Sequence, residues 1–242
     1  MKRFVKKGDV VVIKPNIGFN RTPEQAATTN PDVVYALVDM CYEAGARLVK
    51  VFDNPCTVAE MSYENSGIAQ AVKKAGGEIY YISGWKFYPA SLSPKSLMNG
   101  WPIYRDAVHC DCFINVPIAK QHGFTGVTLS MKNLMGVCGG GRGLIHQSID
   151  IKLAELTGFI KPDLTVIDAY RILIRNGPSG GNLSDVEEKN IVLASADPVL
   201  ADAYATSFFN LKPEQVGYVK MGAEYGLGSM NIKKADIKKI TA

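Results

Sequence analysis

The chain has 242 residues, 47% of them apolar and 21% charged, with 27 Lys+Arg against 23 Asp+Glu for a formal net charge of +4. These proportions exclude a disordered, fibrous or coiled-coil chain, and the length suits one large domain or at most two small ones. The basic excess sits at the two ends, in Lys2, Arg3, Lys6 and Lys7 and in Lys233, Lys234, Lys238 and Lys239. Such runs are solvated termini, so a nucleic-acid partner is not expected; the longest apolar runs are strand-sized, so neither is a membrane span.

Val10–Ile13 reads as a short buried strand stopped by Lys14-Pro15-Asn16. Pro31 to Ala44 carries Val33, Val34, Leu37, Val38 and Cys41 at helical spacing, with proline in the first turn and Gly45 at the end. Leu48–Phe52 is the next strand, ended by Asp53-Asn54-Pro55, and a helix over Met61–Lys74 leads through Gly76-Gly77 to Glu78–Ile82. After an irregular excursion rich in proline and tryptophan, Cys112–Val116 returns as a buried strand ended by Pro117. From Pro117 to His146 no apolar period holds, apart from a helical turn near Met131–Gly136, and a loop of that length in a compact domain is usually functional. A helix over Ile149–Phe159, strands at Asp163–Asp168 and Ile191–Ser195, a helix over Val199–Phe209 and a last helix opened by Pro213 and closed near Gly226-Leu227-Gly228 complete the order. The expectation is a single α/β domain over residues 1–242, a mainly parallel sheet flanked by helices, Rossmann-like without the G-x-G-x-x-G dinucleotide fingerprint.

Five cysteines, with no C-x-x-C pair, read as buried thiols in a reducing compartment; Cys138, beside the glycines, is the one thiol considered as reactive, although nothing requires it. No apolar core of a secretory signal follows Met1, so the chain as written is expected in the cytoplasm.

Charged and polar residues follow each strand: Lys14 and Asn16, Asp53 and Asn54, Lys120 and His122, Asp168 and Arg171, and Asp197. In parallel sheets ligands bind beyond the carboxyl ends of the strands, so these groups are expected to meet at one edge. The stretch from Lys120 to His146 adds Lys132, Asn133, Arg142 and a glycine-rich run, Gly139-Gly140-Gly141, whose amides suit an anion. The run is not a Walker loop, because no Gly-Lys-Ser/Thr follows. His122 and His146 match no compact metal motif, yet can meet in space with Asp53 or Asp168 to hold a transition metal. Asn176-Gly177-Pro178 is a rigid turn of the kind that lines a site as readily as a surface.

Ile13-Lys14-Pro15-Asn16, Ala27-Thr28-Thr29-Asn30-Pro31, Asn115-Val116-Pro117 with Lys120 and His122, Met131-Lys132-Asn133-Leu134-Met135-Gly136, Lys161-Pro162-Asp163-Leu164, Asn176-Gly177-Pro178 and Asp197-Pro198-Val199 with Asp202 recur in order over nearly the whole chain. In these the chain resembles the domain-of-unknown-function family 362, whose activity is generally unassigned. Some members carry an added ferredoxin module, the source of an iron–sulfur label; others begin with a twin-arginine signal, which implies export if Met1 lies inside a longer precursor. More distantly, His122 to His146 is similar to the cofactor-binding domain of nickel-pincer lactate racemase. That likeness implies His122 as acid/base, Lys132 as the lysine holding a cofactor covalently and His146 as a metal ligand, while Asp53-Asn54-Pro55-Cys56 stands where the racemase has its second catalytic histidine.

The expected function is enzyme-like: a crevice binding an anionic small molecule or cofactor, with or without a metal, for proton-transfer or redox chemistry. The candidate catalytic groups are His122, Lys132 and Asp53, the candidate ligand-binding groups Lys14, Asn16, Lys120, Asn133 and Arg142, and the candidate metal ligand is His146. His122, near neutral in its ordinary pKa, suits a general base. The rival is a non-catalytic anion or cofactor carrier using the same crevice.

Overall fold

A computed structural model describes residues 1–241. Its strands are β1 (Val10–Pro15), β2 (Leu48–Val51), β3 (Glu78–Ile79), β4 (Phe87–Pro89), β5 (Pro102–Tyr104), β6 (Cys112–Val116), β7 (Ile118–His122), β8 (Gly126–Thr128), β9 (Leu164–Leu173) and β10 (Val186–Ser195). Its α-helices are α1 (Pro31–Glu43), α2 (Ala59–Asn65), α3 (Ile68–Lys74), α4 (Ser130–Asn133), α5 (Ile149–Ile160), α6 (Pro198–Ala205) and α7 (Gly217–Glu224). The sheet runs β3-β2-β1-β6-β9 in parallel, with β10 antiparallel on the far side of β9 and β8 antiparallel on β7; β4 and β5 form a separate two-stranded ribbon. The fold is the expected α/β domain with a mainly parallel sheet.

Both faces of the sheet are covered, which is why its strands read as continuous apolar runs. Within β1, Val12 joins the core under α5, α6 and α7, while Val11 and Ile13 join the core under α1 and α3. Phe113 against Cys112, Ile114 and Val116 in β6, and Ile167 against Leu164 and Val166 in β9, divide in the same way. Helix α1 starts where Asn30 accepts a hydrogen bond from Asp32 N at 3.0 Å and buries Val34, Leu37, Val38 and Cys41, one stripe at helical spacing.

The strand expected after Asp163 is longer than its apolar core, and this decides where the site lies. Strand β10 pairs along one side of β9 from Thr165 to Leu173, so β6 and β7 share the other side, β6 at Leu164–Thr165 and β7 from Asp168 to Leu173. Strands β6 and β7 are in effect one strand broken at Pro117, whose carbonyl still accepts from Asp168 N at 2.9 Å. Because β1 ends opposite Val116, β7 continues past the carboxyl edge of β1 and stands as a wall beside the space above it.

Three other expectations change. The segment from Pro117 to His146 is not one loop: it holds β7, β8 and α4, and alternation was masked because Ile118, Ala119 and Lys120 are all buried. The helix expected over Met61–Lys74 is two helices, broken at Ser66-Gly67, where Gly67 takes a φ of +71° that only glycine adopts freely. The last helix begins at Gly217, four residues after Pro213, which opens a 3₁₀ turn ending at Gln215. No helix among the described residues is long and apolar enough to cross a membrane.

Candidate active site

Above the carboxyl edge lies a cavity of about 540 Å³, floored by the end of β1 and the residues after β2, walled by β7 and α4, and closed by the turn around Arg142. All nine candidate residues line it: Lys14, Asn16, Asp53, Lys120, His122, Lys132, Asn133, Arg142 and His146.

Lys14 and Lys120 are almost wholly buried, at 0% and 1% exposure, and each is tied down. Lys14 Nζ meets Asp53 Oδ1 at 2.7 Å and donates to Pro15 O at 2.7 Å and Asn133 Oδ1 at 3.2 Å. Asp53 is in turn held by Ile17 N, which donates to Oδ2 at 2.7 Å. Burial lowers the Lys14 pKa, against the raising pull of Asp53. Lys120 Nζ donates to Ala27 O at 2.6 Å and Asn16 Oδ1 at 3.2 Å and lies over the Phe19 ring. Burial first, and Lys132 next, bring its pKa down to about 7. Asn133 links the two strands: its amide nitrogen donates to Lys14 O and Asn115 Oδ1, and its Oδ1 accepts from Asn16 Nδ2 at 3.0 Å.

Lys132 is different. It is 8% exposed, and its one hydrogen-bond partner among the described residues is the Met135 thioether sulfur at 3.7 Å. Burial, with the Arg142 charge also acting to lower it, brings its pKa down to about 8. It is held there by Asp202, a fully buried carboxylate that accepts from Ser130 N at 2.7 Å and Met131 N at 3.0 Å, the first amides of α4. Arg142 donates to Asn54 O and Pro55 O, which anchors one side of its guanidinium.

The two imidazoles lie with ring centroids 6.0 Å apart and planes 18° from parallel. His122 Nδ1 accepts from Phe124 N at 3.1 Å and Thr125 N at 3.3 Å, so the ring proton sits on Nε2. Burial, then the charge of Lys132, pushes its pKa down to about 3. His146 Nδ1 faces Gly143 O at 3.1 Å, a pure acceptor, so this ring carries its proton on Nδ1 and leaves Nε2 as a lone pair. Burial and Lys132 lower its pKa as well. In this arrangement His122 presents an Nε2–H and His146 an Nε2 lone pair.

Not every expectation converges here. Asp168 is buried against Asn30 N and Tyr170 N, and Asp197 accepts from Leu200 N at the start of α6, so both serve backbone away from the cavity. No three metal-ligating side chains gather among the described residues, and Asp53 pairs with Lys14. Cys138 is buried, its pKa pushed up to about 12, whereas Cys56 is an exposed thiol on the cavity and departs from the all-buried expectation. Pro178 of the rigid turn does line the site. The sequence alone does not single out Thr128, whose buried hydroxyl has no partner among the described residues, Phe19, or Gly136. An added Cβ at Gly136 would overlap Asp53 Oδ1 and Lys14 Cε, and a glycine four residues after Lys132 was the available signal.

The sequence profile described as "Domain of unknown function (DUF362)" matches residues 11–207. The chain belongs to this family. The thylakoid-associated protein sll1697 of Synechocystis sp. is 28% identical over 237 residues, which cover 94% of this chain and 71% of that relative. Among solved structures, the lactate racemase apoprotein from Thermoanaerobacterium thermosaccharolyticum superposes with a TM-score of 0.52 at 10% identity, over 84% of this chain and 49% of the racemase. This chain thus spans about half of that protein, and the likeness is one of fold.

Proposed function

We propose that this DUF362 domain binds a small anionic molecule, a carboxylate-bearing metabolite or cofactor, and moves a proton on it. One observation carries the reading: four cations, Lys14, Lys120, Lys132 and Arg142, line the cavity with one carboxylate, and that carboxylate is already paired with Lys14. Cations held in a poorly hydrated space without counter-charge are stabilised by an anion, and guanidinium with ammonium suits a carboxylate. The structural neighbour's name, a racemase of lactate, supports a small carboxylate as the ligand class. The imidazole pair supplies the chemistry. His146 Nε2 is the acceptor for a proton leaving carbon or oxygen, and His122 Nε2–H donates a hydrogen bond to oxygen where negative charge grows, the use of a neutral imidazole as electrophile.

Calorimetric titration with lactate, oxalate and phosphate tests binding, and uptake of deuterium at C2 of lactate in D2O tests proton transfer. Binding of a carboxylate that is weakened at least about tenfold in Lys132→Met, with exchange lost in His146→Gln, is expected. Absence of binding by all three anions overturns the reading. Binding with no exchange at any pH from 6 to 9 leaves only the carrier function.

A further inference from the structure

We infer that Lys132 is a nucleophilic amine that captures a 2-oxo acid as an imine. This rests on the anion-binding reading and adds the ligand's second functional group, a carbonyl beside the carboxylate.

The three lysines on the cavity have different surroundings, and only one set suits a nucleophile. Lys14 is held by Asp53 and two oxygens, and Lys120 by Ala27 O and Asn16 Oδ1; an amine so held has its position set by the acceptors it donates to and cannot turn towards a carbonyl without giving them up. Lys132 has no oxygen partner among the described residues and is more than nine-tenths buried. A desolvated lysine beside further cations exists in part as free amine near neutral pH, the condition for attack on a carbonyl; this holds for Lys120, lowered to about 7, as for Lys132, lowered to about 8, and what separates them is that Lys120 is held by two oxygens and Lys132 is not. It is also the charge that acts most on both imidazoles, which places it beside the donor and the base.

The step balances without a further reactant. The neutral Lys132 nitrogen attacks the carbonyl carbon, and the oxygen takes the electron pair while His122 Nε2–H donates to it. The nitrogen proton passes to His146 Nε2 and from there to the oxygen, forming the carbinolamine. One further proton from solvent, relayed by His146, lets that oxygen leave as water and yields the protonated imine. Lys120 and Arg142 are left for the carboxylate, and the unpartnered Thr128 hydroxyl is a further donor or acceptor on the same wall.

Incubation of the intact protein with pyruvate and sodium cyanoborohydride, followed by peptide mass spectrometry, tests this, with lactate binding measured in parallel. The expected result is a single reduced pyruvyl adduct on the peptide containing Lys132, formed at least about tenfold faster than on exposed lysines and absent in a folded Lys132→Arg variant. Lactate binding without a pyruvate adduct overturns the imine and spares the anion-binding reading. Failure of both lactate and pyruvate to bind overturns both. An adduct spread over surface lysines, or undiminished in Lys132→Arg, also overturns it.

Discussion

Replacing Lys14 by Met leaves the Asp53 carboxylate 2% exposed, with Ile17 N as its remaining donor. Removing one member of a buried ion pair costs about 3–5 kcal/mol, because the survivor is an uncompensated buried charge. Asp53→Asn strands the Lys14 ammonium in the same way, although Pro15 O and Asn133 Oδ1 still accept from it, which puts this variant at the lower end of the range. The double variant Lys14→Met/Asp53→Asn removes both charges and keeps the volume, so it is expected to be more stable than the sum of the single losses by about 2 kcal/mol or more, a coupling well outside the few tenths that separate independent sites. Urea unfolding of the four proteins, followed by circular dichroism and by fluorescence of Trp85 and Trp101 with coincident transitions required, measures the cycle. Losses that add to within about 0.5 kcal/mol would refute the argument, since they would mean that the 2.7 Å contact is not a coupled pair. Burial acts on the Lys14 pKa more strongly than the attraction of Asp53 does, and a buried pair of this kind contributes little net stability even though breaking it is costly.

The pH dependence of anion binding follows from Lys120 and Lys132, whose pKa values are lowered to about 7 and about 8 from an ordinary 10.5. Affinity for a non-carbonyl anion should fall about tenfold or more from pH 6 to pH 9 in calorimetric titrations, while imine capture should rise through pH 8; parallel trends would refute the assignment of the amine. Without ligand, a lysine whose folded pKa is lowered binds fewer protons than in the unfolded chain, so its contribution makes stability rise as pH increases from about 7 towards 10.5. Gly136→Ala forces a methyl onto Asp53 Oδ1 and to 2.6 Å from Lys14 Nζ, so it should lower stability by about 1–3 kcal/mol in denaturant melts; a variant as stable as the wild type would show that the floor yields.

The parts of the fold read correctly from sequence are those whose local pattern and tertiary role agree. β1 and β6 are buried on both faces and read as apolar runs, β2 buries Val49 and Val51, and α1 has its cap, its proline and its stripe. The wall of the site was not legible because β7 places Lys120 and His122 inward from a strand whose neighbour Ala119 is also buried, so neither alternation nor an apolar run marks it. Its existence follows from the length of β9, and the second half of β9, Ala169-Tyr170-Arg171-Ile172-Leu173, is mixed in polarity because Tyr170 is exposed and Arg171 half-buried while Ala169, Ile172 and Leu173 are buried.

For the site, chemistry was more legible than role. Charged and polar residues after strand ends converge because a parallel sheet presents those ends together, and with those of α4 and the turn that follows it nine candidate residues meet around one cavity. Which of them is free to react depends on backbone groups that side-chain identity does not reveal. Two amides at Phe124 and Thr125 leave His122 an Nε2–H, one carbonyl at Gly143 leaves His146 an Nε2 lone pair, and the carbonyl of Ala27 occupies Lys120 while Lys132, the third residue of α4, meets no oxygen among the described residues. The same three lysines, read only as residues, are equivalent. Their surroundings differ: Lys14 pairs with Asp53, Lys120 is anchored to Ala27 O and Asn16 Oδ1, and Lys132 has a thioether as its one hydrogen-bond partner among the described residues.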